Sequence, residues 1–587
     1  MSSLNPEQRS RALAAMAEQT VDVLVVGGGV TGAGVALDAA SRGLSTAIVE
    51  AQDWASGTSS RSSRLVHGGL RYLYQLDVRL VAESLHERGL LLTTIAPHLV
   101  QAQPFLWPLR TPVIERAYSA LGVGMYDALA IAGARGRRLV PTQKHFNRAQ
   151  AKAAFPEIDE NSLVGAIRYF DARVDDARLV VSLVRTAVRF GAHAASRTEV
   201  IGYLHEDGAV RDGGADRTAR DGTARVVGAR VRDLETGNEF DIRARQVINA
   251  TGIWTEQTQQ LAGAGGGLKV LASKGAHIVV PRDRIRADVG MFLRTETSVL
   301  FLIPWPEYWV IGTTDTAWHE PLQHPVPTSA DIDYILEQAN SALAEPLTRE
   351  DIIGTYAGLR PLLQPEMLDQ TSESQVSREH TVAQVAPGLI AIAGGKLTTY
   401  RVMAKDAVDF ALGAQAGARP SITDRTPLVG AEGYAAMLNR APHLMVTYGW
   451  DATRTEHLMD RYGARITSLT TLIDEVPDLN EPLATAPEYL RAEVVLACTE
   501  EGALHLEDIL ISRIRLNSST PDRGSSAAAE IAELAAVCLD WDAAQLAHEV
   551  ENYRSRVEAE LAAQQEPTDA DAARVRLRVP DVVGDFD

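Results

Sequence analysis

The sequence predicts an α/β fold with a nucleotide-binding sheet and a separate helical domain at its C-terminal end. Three observations lead to this prediction. An apolar run, a glycine-rich turn, a helix-like segment and a second apolar run follow one another over residues 21–50. Two further strand-like runs that end in glycine, within residues 245–255 and 387–401, are suited to return to the same sheet. From Thr426 onward, apolar residues recur at helical spacing and glycines are few.

Length and charge narrow the class of protein. A chain of 587 residues can bury large cores and should divide into at least two domains. Its formal net charge of -19 argues against nucleic-acid binding, because a phosphate backbone needs a broad basic surface. The N-terminal segment carries charges where a signal peptide needs an apolar core, and no long apolar run is free of charge. We therefore expect a cytoplasmic protein whose membrane contact, if any, is peripheral.

The sequence gives little support for a metal site. The chain's two cysteines, Cys498 and Cys538, are not spaced as a thiolate site or a disulfide framework. The stretch HEPLQH at residues 319–324 has its histidines too far apart for a zinc motif, and Pro321 breaks the helix that such a motif needs. We predict no metal cofactor.

The first element is a predicted surface helix within residues 1–19. Asn5 followed by Pro6 and Glu7 is typical of a capped helix start, with the proline at the first helical position.

The next elements form a strand, a helix and a second strand that together suit a dinucleotide. Gly27 permits the tight turn, Gly29 lets a pyrophosphate approach the backbone, and Gly32 lets the helix lie close to the strand. The helix N-terminus then attracts the phosphates. Glu50, which closes the second strand, is placed to accept hydrogen bonds from a ribose.

FAD and NAD share this pattern, so the later strands decide between them. A flavin cofactor is long and must be met by several strand ends, which the runs ending near Gly252 and Gly394 can provide. A helix start after Gly395 would also offer N–H groups to the anionic edge of a reduced flavin. The glycine-rich stretch at residues 261–270 lacks the spacing of a second dinucleotide site, which disfavours direct electron transfer to NAD.

Seven motifs, spread over residues 20–405, carry a resemblance to a known family. They are GGGVTGAG, SSRSSRLVHGGLRYL, KGAHIVV, IGTTD, GLRPL, SREH and GGKLTTYR. With these motifs in this order, the chain resembles the FAD-dependent, membrane-associated glycerol-3-phosphate dehydrogenases. The resemblance implies a Rossmann-like FAD-binding domain of the p-hydroxybenzoate-hydroxylase and glutathione-reductase type. It also implies an inserted substrate domain built on an antiparallel sheet, and a helical C-terminal domain.

We place the domain boundaries accordingly. An FAD-dependent oxidoreductase region is expected over residues 20–425, with the inserted domain at about residues 95–165 and 255–360. A helical domain is expected over residues 426–587, and its acidic, Pro-containing last stretch after Glu566 is expected to be disordered.

The resemblance and the glycine pattern together predict the cofactor site. Small hydroxyls and bare backbone let the chain pass close to the pyrophosphate and the flavin ring. The predicted cofactor-binding residues are Gly27, Gly28, Gly29, Gly32, Glu50, Thr58, Ser59, Ser63, Arg64, Leu65, His67, Gly68, Gly252, Gly394, Gly395, Leu397 and Thr398. The alternative is that residues 59–73 form a glycine-rich turn with a solvated arginine run.

A glycerol-3-phosphate substrate is a small dianion and needs several cationic donors. The candidates are Arg71, Arg360 and Arg378, with Lys396 near the flavin or the substrate. By resemblance, Arg360 and Arg378 bind the phosphate and Arg71 lies nearer the reacting carbon. Each arginine taken alone could instead form a surface ion pair.

Oxidation of the C2 alcohol requires a base for the hydroxyl proton as well as a hydride acceptor. His277, in the strand-like KGAHIVV, is the candidate base, and Arg71 and Lys396 are competing catalytic residues. An isolated histidine in such a strand can equally be a hydrogen-bonded core residue.

The predicted function is oxidation of sn-glycerol 3-phosphate to dihydroxyacetone phosphate by hydride transfer from C2 to N5 of FAD, with electrons passed to a membrane quinone. One alternative is an oxidase that reduces O2 to peroxide, and another is an amine or 2-hydroxyacid flavoenzyme of the same fold. A third alternative is a non-enzymatic scaffold that keeps the flavin fold.

Two surfaces suggest partners. No acidic residue occurs between Asp127 and Glu157, where basic residues accumulate after an apolar stretch. The basic residues are Arg135, Arg137, Arg138, Lys144, Arg148 and Lys152. This patch suits anionic lipid headgroups on the inner face of the cytoplasmic membrane, and the alternative is a solvated surface. The helical domain is a candidate homodimer interface.

Overall fold

A computed structural model describes residues 3–69, 78–111, 114–133, 139–211, 224–263, 267–295, 299–363 and 380–583. In chain order its strands are β1 Val21–Val26, β2 Thr46–Val49, β3 Leu65–Val66, β4 Val100–Leu109, β5 Lys144–Asn147, β6 Gly165–Val174, β7 His193–Ala195, β8 Thr198–His205, β9 Val210–Arg211, β10 Val226–Asp233, β11 Glu239–Asn249, β12 Val270–Pro281, β13 Gly290–Arg294, β14 Val299–Pro304, β15 Tyr308–Gly312, β16 Thr316–Ala317, β17 Gly354–Leu363, β18 His380–Ala386, β19 Leu389–Gly394, β20 Pro482–Leu483 and β21 Ala486–Leu490.

The helices are numbered in the same way. They are α1 Pro6–Glu18, α2 Val30–Ser41, α3 Val78–Leu90, α4 Ile114–Gly133, α5 Arg148–Ala154, α6 Asp176–Arg189, α7 Thr255–Gln260, α8 Ser329–Asn340, α9 Tyr400–Leu412, α10 Tyr434–Leu438, α11 Ala441–Tyr448, α12 Ala452–Tyr462, α13 Ile466–Glu475, α14 Arg491–Thr499, α15 Leu516–Ser519, α16 Ala528–Leu539, α17 Ala543–Ala563 and α18 Asp569–Arg576.

The first sheet has a parallel core in the order β7, β2, β1, β11, β19. Strand β1 pairs with the end of β11, and residues 247–249 of β11 pair in turn with residues 389–391 of β19. Both later strand-like runs therefore return to the sheet of the glycine motif, as predicted. Their carboxyl ends meet at one edge, where α/β sheets bind ligands.

Helices cover the parallel core because its strands are apolar on both faces. Helices α2, α6 and α9 bury one face around Val25, Ile48, Ile248 and Ile390. The other face packs against α1 and the antiparallel strands β8 and β10. Asn5 caps α1, accepting a hydrogen bond from the Gln8 N–H, with Pro6 at the first helical position.

The second sheet is mainly antiparallel and runs in the order β16, β12, β15, β14, β13, β4, β6, β3. Strand β17 pairs with β12, so that Arg360 lies opposite Ser273 and Gly358 opposite Gly275. The sheet also includes β3 and part of β6, which lie outside the boundaries expected for the inserted domain.

The C-terminal helices form a third core around Leu506, Ile509 and Ile531. Buried ion pairs join this unit to the first sheet. They are Arg513–Asp53, with two N–O distances of 2.7 Å, Arg178–Glu501 at 2.6 Å and Arg197–Asp508 at 2.6 Å. The predicted fold class, an α/β protein with an antiparallel substrate domain and a helical C-terminal domain, is confirmed.

The expectation of a disordered tail was wrong. Thr568 caps α18 by accepting a hydrogen bond from the Asp571 N–H. Ala572, Ala573 and Arg576 of this helix are buried, which gives it a packed face that composition alone did not reveal.

Candidate active site

A cleft of about 1670 Å³ runs from the carboxyl ends of the parallel strands to strands β12 and β17 of the second sheet. Gly29 and Glu50 line one end of it, and His277, Arg360 and Lys396 line it farther along. The cleft thus joins the predicted nucleotide site to the predicted substrate residues in one continuous space.

The glycine turn between β1 and α2 needs its glycines for geometric reasons. Gly27 has φ +107°, and a Cβ there would lie 2.8 Å from the Ala250 carbonyl oxygen. A Cβ on Gly32 would lie 1.8 Å from the Gly27 carbonyl oxygen, so the first turn of α2 could not approach β1. A Cβ on Gly29 would meet only the Ser59 Oγ within 4 Å, at 3.1 Å. The backbone of Gly29 is therefore open toward the cleft.

Glu50 is held by two backbone donors. The Gly28 N–H donates to Oε2 at 2.5 Å and the Gln52 N–H donates to Oε1 at 2.8 Å. Burial raises the pKa of Glu50, and the two N–H donors partly offset that rise by stabilising the carboxylate. A carboxylate oriented in this way at the cleft wall can accept further hydrogen bonds from a ribose.

Residues 57–69 follow the cleft wall as an irregular segment. Ser59 Oγ accepts the Val30 N–H at 2.9 Å and so occupies the start of α2, where a phosphate would also bind. Farther along, the His67 N–H donates to Thr398 Oγ1, and the Thr398 hydroxyl donates to the His67 carbonyl, both at 3.1 Å. This exchange joins the segment to the turn after β19.

The turn after β19 is also shaped by glycines. Gly394 and Gly395 have φ +83° and +79°, and a Cβ on Gly395 would lie 2.3 Å from Met403 Sδ. Lys396 and Leu397 follow and line the cleft just before α9. Gly252, with φ +61°, lines the cleft after β11.

His277 is buried between the glycine segment and strand β17. Its Nε2 lies 2.9 Å from Ser63 Oγ, and its ring stacks on Tyr356 with centroids 4.7 Å apart. Burial, together with the nearby charges of Arg360 and Arg64, lowers the pKa of His277 well below its usual value. The ring is therefore neutral at neutral pH, and the same shift makes it a weaker base than an exposed histidine.

Arg360 extends from β17 into the same part of the cleft. Its Nη2 donates to Thr313 Oγ1 at 3.0 Å and its Nη1 donates to Asp315 Oδ1 at 3.1 Å. Gly275 on the neighbouring strand makes room, since a Cβ there would lie 2.6 Å from Arg360 Nη2. About a third of the side chain is exposed, which leaves the guanidinium accessible from the cleft.

Most of the sequence-predicted residues line this cleft. They are Gly27, Gly29, Glu50, Thr58, Ser59, Ser63, Leu65, His67, Gly252, His277, Arg360, Gly394, Gly395, Lys396 and Leu397. Four more predicted residues lie directly behind the wall and shape it through their backbone or hydroxyl groups. They are Gly28, Gly32, Gly68 and Thr398. Arg71 and Arg378 lie outside the described residues.

Arg64 departs from its predicted place among the cofactor-binding residues. Its guanidinium points away from the cleft, where it donates to the Tyr308 hydroxyl at 2.8 Å and to Ser518 Oγ at 3.0 Å. The rings of Trp305 and Tyr356 lie within 5.7 Å of it. Cation–π contacts and two hydroxyl acceptors thus hold this side chain at the junction with the C-terminal helices.

Sequence reasoning missed several residues of the cleft. Arg61 lines it within the SSRSSR motif, and Trp254 lines it in the turn after β11, just beyond Gly252. The tail residues Leu577, Val579, Pro580 and Asp581 also line it. Arg61 could have been selected from its motif, whereas the tail carries no motif and only its docking reveals it.

The residues present fit FAD, the cofactor that the resemblance implies. The turn at Gly27–Gly29 presents open backbone, Glu50 presents an oriented carboxylate, and the cleft is long enough to pass from both to His277. Gly394 and Gly395 then bring backbone from a third strand end, which a long cofactor requires.

Comparisons with known proteins agree with this geometry. Residues 22–401 match the model of the FAD dependent oxidoreductase family, and residues 421–546 match the C-terminal domain of alpha-glycerophosphate oxidase. The chain is 49% identical over 581 residues to glycerol-3-phosphate dehydrogenase of Mycobacterium leprae, covering 99% of this chain and 95% of the relative. It is 34% identical over 554 residues to the mitochondrial glycerol-3-phosphate dehydrogenase of Homo sapiens, covering 92% and 73%.

A solved structure is also similar. The glycerol-3-phosphate dehydrogenase from Bacillus halodurans, complexed with FAD, superposes with a TM-score of 0.74 at 26% identity. The match covers 95% of this chain and 98% of that chain.

Proposed function

Because the chain belongs to the FAD-dependent glycerol-3-phosphate dehydrogenases, we propose that it oxidises sn-glycerol 3-phosphate to dihydroxyacetone phosphate. The single observation that carries this proposal is that one cleft holds a neutral buried histidine, an accessible arginine and the features of an FAD site. FAD, when bound there, supplies the hydride acceptor.

Arg360 is the residue that supports a phosphorylated substrate. Its guanidinium is accessible from the cleft, and its described partners are Thr313, the Thr314 carbonyl and the half-exposed Asp315. A phosphate dianion can bind the guanidinium fork more strongly than a solvated carboxylate does. We propose that Arg378 and Arg71, which lie outside the described residues, and Lys396 complete the cationic set.

His277 supports the proton transfer. We propose that the neutral ring accepts the C2 hydroxyl proton while Ser63 and Tyr356 hold the ring in place. Burial is the main cause of the lowered pKa of His277, and the charge of Arg360 adds to it. A dianion bound at Arg360 would offset that second contribution, so substrate binding would make the ring a stronger base. Arg71 and Lys396 are the competing candidates for this role.

The acceptor of the electrons is proposed to be a membrane quinone. An apolar rim lies beside the cleft, where Leu271 and Leu362 pair across β12 and β17 and are 50% and 47% exposed. Leu362 and Pro361 also line the cleft, so an apolar quinone ring could approach the reduced cofactor there. The resemblance to membrane-associated dehydrogenases supports the same acceptor.

An oxidase that reduces O2 is the second candidate function. It is favoured by the match of residues 421–546 to a domain described from an alpha-glycerophosphate oxidase. Reoxidation of the substrate-reduced enzyme by a quinone analogue and by O2, with peroxide assayed in parallel, distinguishes the two. Rapid reoxidation by the quinone with little peroxide supports the dehydrogenase.

Membrane contact is proposed to be peripheral, on the inner face of the cytoplasmic membrane. Among the described helices, none combines the length and the apolar character needed to cross a bilayer. In the proposed basic patch, Lys144 is exposed, whereas Arg148 donates to the Leu163 carbonyl and Lys152 donates to the Ile158 carbonyl. Arg135, Arg137 and Arg138 lie outside the described residues. Cosedimentation with anionic vesicles should be lost when all six are neutralised, and unchanged binding would refute the lipid role.

We also propose that the helical domain forms a homodimer. Val446 on α11 and Val537 on α16 are 85% and 83% exposed, which is unusual for valine. Light scattering should report twice the monomer mass, and glutamate at both positions should return the protein to a monomer.

Anaerobic addition of sn-glycerol 3-phosphate to the purified yellow protein tests the main proposal. The flavin absorbance near 450 nm, a general property of oxidised flavins, should bleach within seconds to about the extent that dithionite produces. A matched sample receives glycerol, which lacks the phosphate. Failure to bleach with either compound would refute the proposed activity, and equal bleaching by glycerol would refute phosphate recognition.

A further inference from the structure

After helix α18 the chain returns to the cofactor cleft. After α18, residues Leu577–Asp581, here called the C-terminal strap, extend back across the domain junction. Residues 547–587 lie outside both matched family models, so neither model describes this segment.

The strap forms part of the cleft wall. Leu577, Val579, Pro580 and Asp581 line the same space as Gly29, Glu50 and His277. Near the strap the wall also includes Trp254, His324 and Arg61. Leu577 is 39% exposed, so its apolar side chain is available to a molecule in the cleft.

Specific contacts hold the strap in this position. Asp581 Oδ1 lies 2.6 Å from His324 Nε2, and both side chains are about nine-tenths buried. Arg576 donates through Nη1 to the Val579 carbonyl at 3.2 Å. At the start of α18, the helix that carries the strap, the buried ammonium of Lys274 pairs with Asp331 at 2.5 Å and also with Asp569.

The charges at this junction favour an ionised Asp581. Burial would raise its pKa, but the hydrogen bond to His324 and the nearby Arg556 and Arg576 hold the pKa at about 2. Burial lowers the pKa of His324 to about 4, and Arg576 adds to that shift. A neutral His324 therefore lies beside the Asp581 carboxylate at neutral pH, and the contact persists through the physiological range.

Arg61 lies beside the strap without a close partner. In the described ranges of the chain, no carboxylate lies within ion-pair distance of its guanidinium and no hydrogen bond is made by it. More distant carboxylates, Glu560 and Asp581, stabilise its positive charge. The positive charges of Arg556 and Arg576 have the opposite effect. Arg61 therefore gives the wall near the strap a guanidinium that can pair with an anionic molecule.

We propose that the C-terminal strap is part of the cofactor site and retains FAD, so that FAD leaves only after the strap detaches. The inference rests on the proposed function only in taking FAD as the molecule in the cleft. Because the strap is anchored in the C-terminal unit, the helical domain would act in cofactor retention as well as in packing.

The test measures FAD release from the holoenzyme, without substrate. In the first variant the chain ends at Arg576, which removes the strap and keeps α18. In the second, Asp581→Asn removes the charge beside His324. After dilution, the rise of free-flavin fluorescence should be about tenfold faster for the truncated chain, because lost contacts at a bound surface mainly raise the dissociation rate. The rate of FAD release should increase by a smaller factor for Asp581→Asn.

Asp333→Asn is the matched control. It removes an ion pair of similar chemistry, Arg349–Asp333, that is exposed and does not line the cleft. Its FAD release should equal that of the parent protein. If the truncated chain fails to fold, Asp581→Asn and His324→Gln decide, since each weakens the Asp581–His324 contact and keeps the full chain.

If the truncated chain folds and releases FAD at the parental rate, the inference is overturned. If the truncated chain does not fold, parental release from both point variants overturns it. This outcome is distinguishable from failure of the proposed function. Release of FAD is measured whether or not glycerol 3-phosphate bleaches the protein, so an inactive protein with strap-dependent FAD release would refute only the activity.

Discussion

His277 combines burial, a hydroxyl partner and a stacked ring at the point where we propose that the substrate loses a proton. Its Nε2 contacts Ser63, and burial, with a contribution from the charges of Arg360 and Arg64, lowers the pKa of His277 and keeps the ring neutral. Ser63 and His277 are 214 residues apart in sequence, so their contact depends on how β12 docks against residues 57–69.

We expect His277→Gln to slow flavin reduction by substrate by roughly 10²- to 10⁴-fold, the usual contribution of a general base. FAD should remain bound, because His277 belongs to the second sheet rather than to the nucleotide turn. Anaerobic stopped-flow reduction measures the rate and the absorbance ratio gives the FAD content. An unchanged single-turnover rate would remove His277 from the mechanism and favour Lys396 or Arg71.

Arg360→Ala should chiefly weaken substrate binding. Charge-assisted hydrogen bonds contribute about 1.5–3 kcal/mol, which corresponds to a rise in KM of roughly 10- to 100-fold. Flavin reduction at saturating substrate should change less. Arg349→Ala, on an exposed ion pair, is the control. A parental KM in Arg360→Ala would contradict the phosphate role.

His98 offers a pH prediction with a definite sign. It is 1% exposed, and burial with a contribution from Arg178 lowers its pKa from 6.5 to about 3. Between pH 6.5 and about 3, His98 is protonated in the unfolded state but not in the folded state. The folded state therefore loses stability relative to the unfolded state as the pH falls through this window.

His98→Gln should therefore reduce the loss of stability on acidification by up to about 1.4 kcal/mol per pH unit. Urea unfolding of both proteins at pH 7 and pH 5 measures the difference, with exposed His145→Gln as the control. Parallel stability curves for the parent and His98→Gln would show that His98 does not titrate in this range.

At the scale of elements, the turn between β1 and α2 sets the cofactor site. The helix begins directly after Gly29 with its N-terminus toward the cleft, and Ser59 accepts one of its first N–H groups. The sequence spacing of the glycines was enough to predict this turn, because all of its parts lie within residues 21–50.

Gly32→Ala should displace α2 from β1, since the new Cβ would lie 1.8 Å from the Gly27 carbonyl oxygen. We expect a loss of bound FAD and a destabilisation of about 1–3 kcal/mol, typical of overpacking. Gly417→Ala is the control, because a Cβ there meets no atom within 4 Å. Full FAD content in Gly32→Ala would contradict the close approach.

At the scale of the whole molecule, buried ion pairs make the helical domain part of the oxidoreductase body. Arg513 reaches Asp53 through two hydrogen bonds, immediately next to the segment that carries Glu50 and Gln52. Arg515 donates to the Ser60 carbonyl at 2.7 Å and pairs with Asp175. The C-terminal unit therefore supports the cofactor segment from behind.

Arg513→Met should destabilise the protein by about 3–5 kcal/mol, because it leaves the buried Asp53 carboxylate without its partner. The double variant Asp53→Asn/Arg513→Met should recover part of this loss, and Arg189→Met, on an exposed pair, should be neutral. Chemical unfolding measures these variants together with the single variant Asp53→Asn, which completes the double-mutant cycle. Additive effects of the two substitutions would show that the pair does not couple the domains.

The sequence by itself determined the nucleotide half of the molecule: the strand, the glycine turn, Glu50 and the helical character of the last 160 or so residues. These features depend on local spacing, so a linear pattern is sufficient to predict them. The motifs also selected His277 and Arg360, although their roles remain proposals.

Only the tertiary structure decided which side chains share the cleft. The Arg64 guanidinium donates to Tyr308 and Ser518 and does not line the cleft, and the tail expected to be disordered folds into α18 and the strap. Both outcomes depend on contacts between residues that are hundreds of positions apart. Such contacts are set by the register of β12 and β17 and by the docking of the helical domain, and no local sequence pattern encodes them.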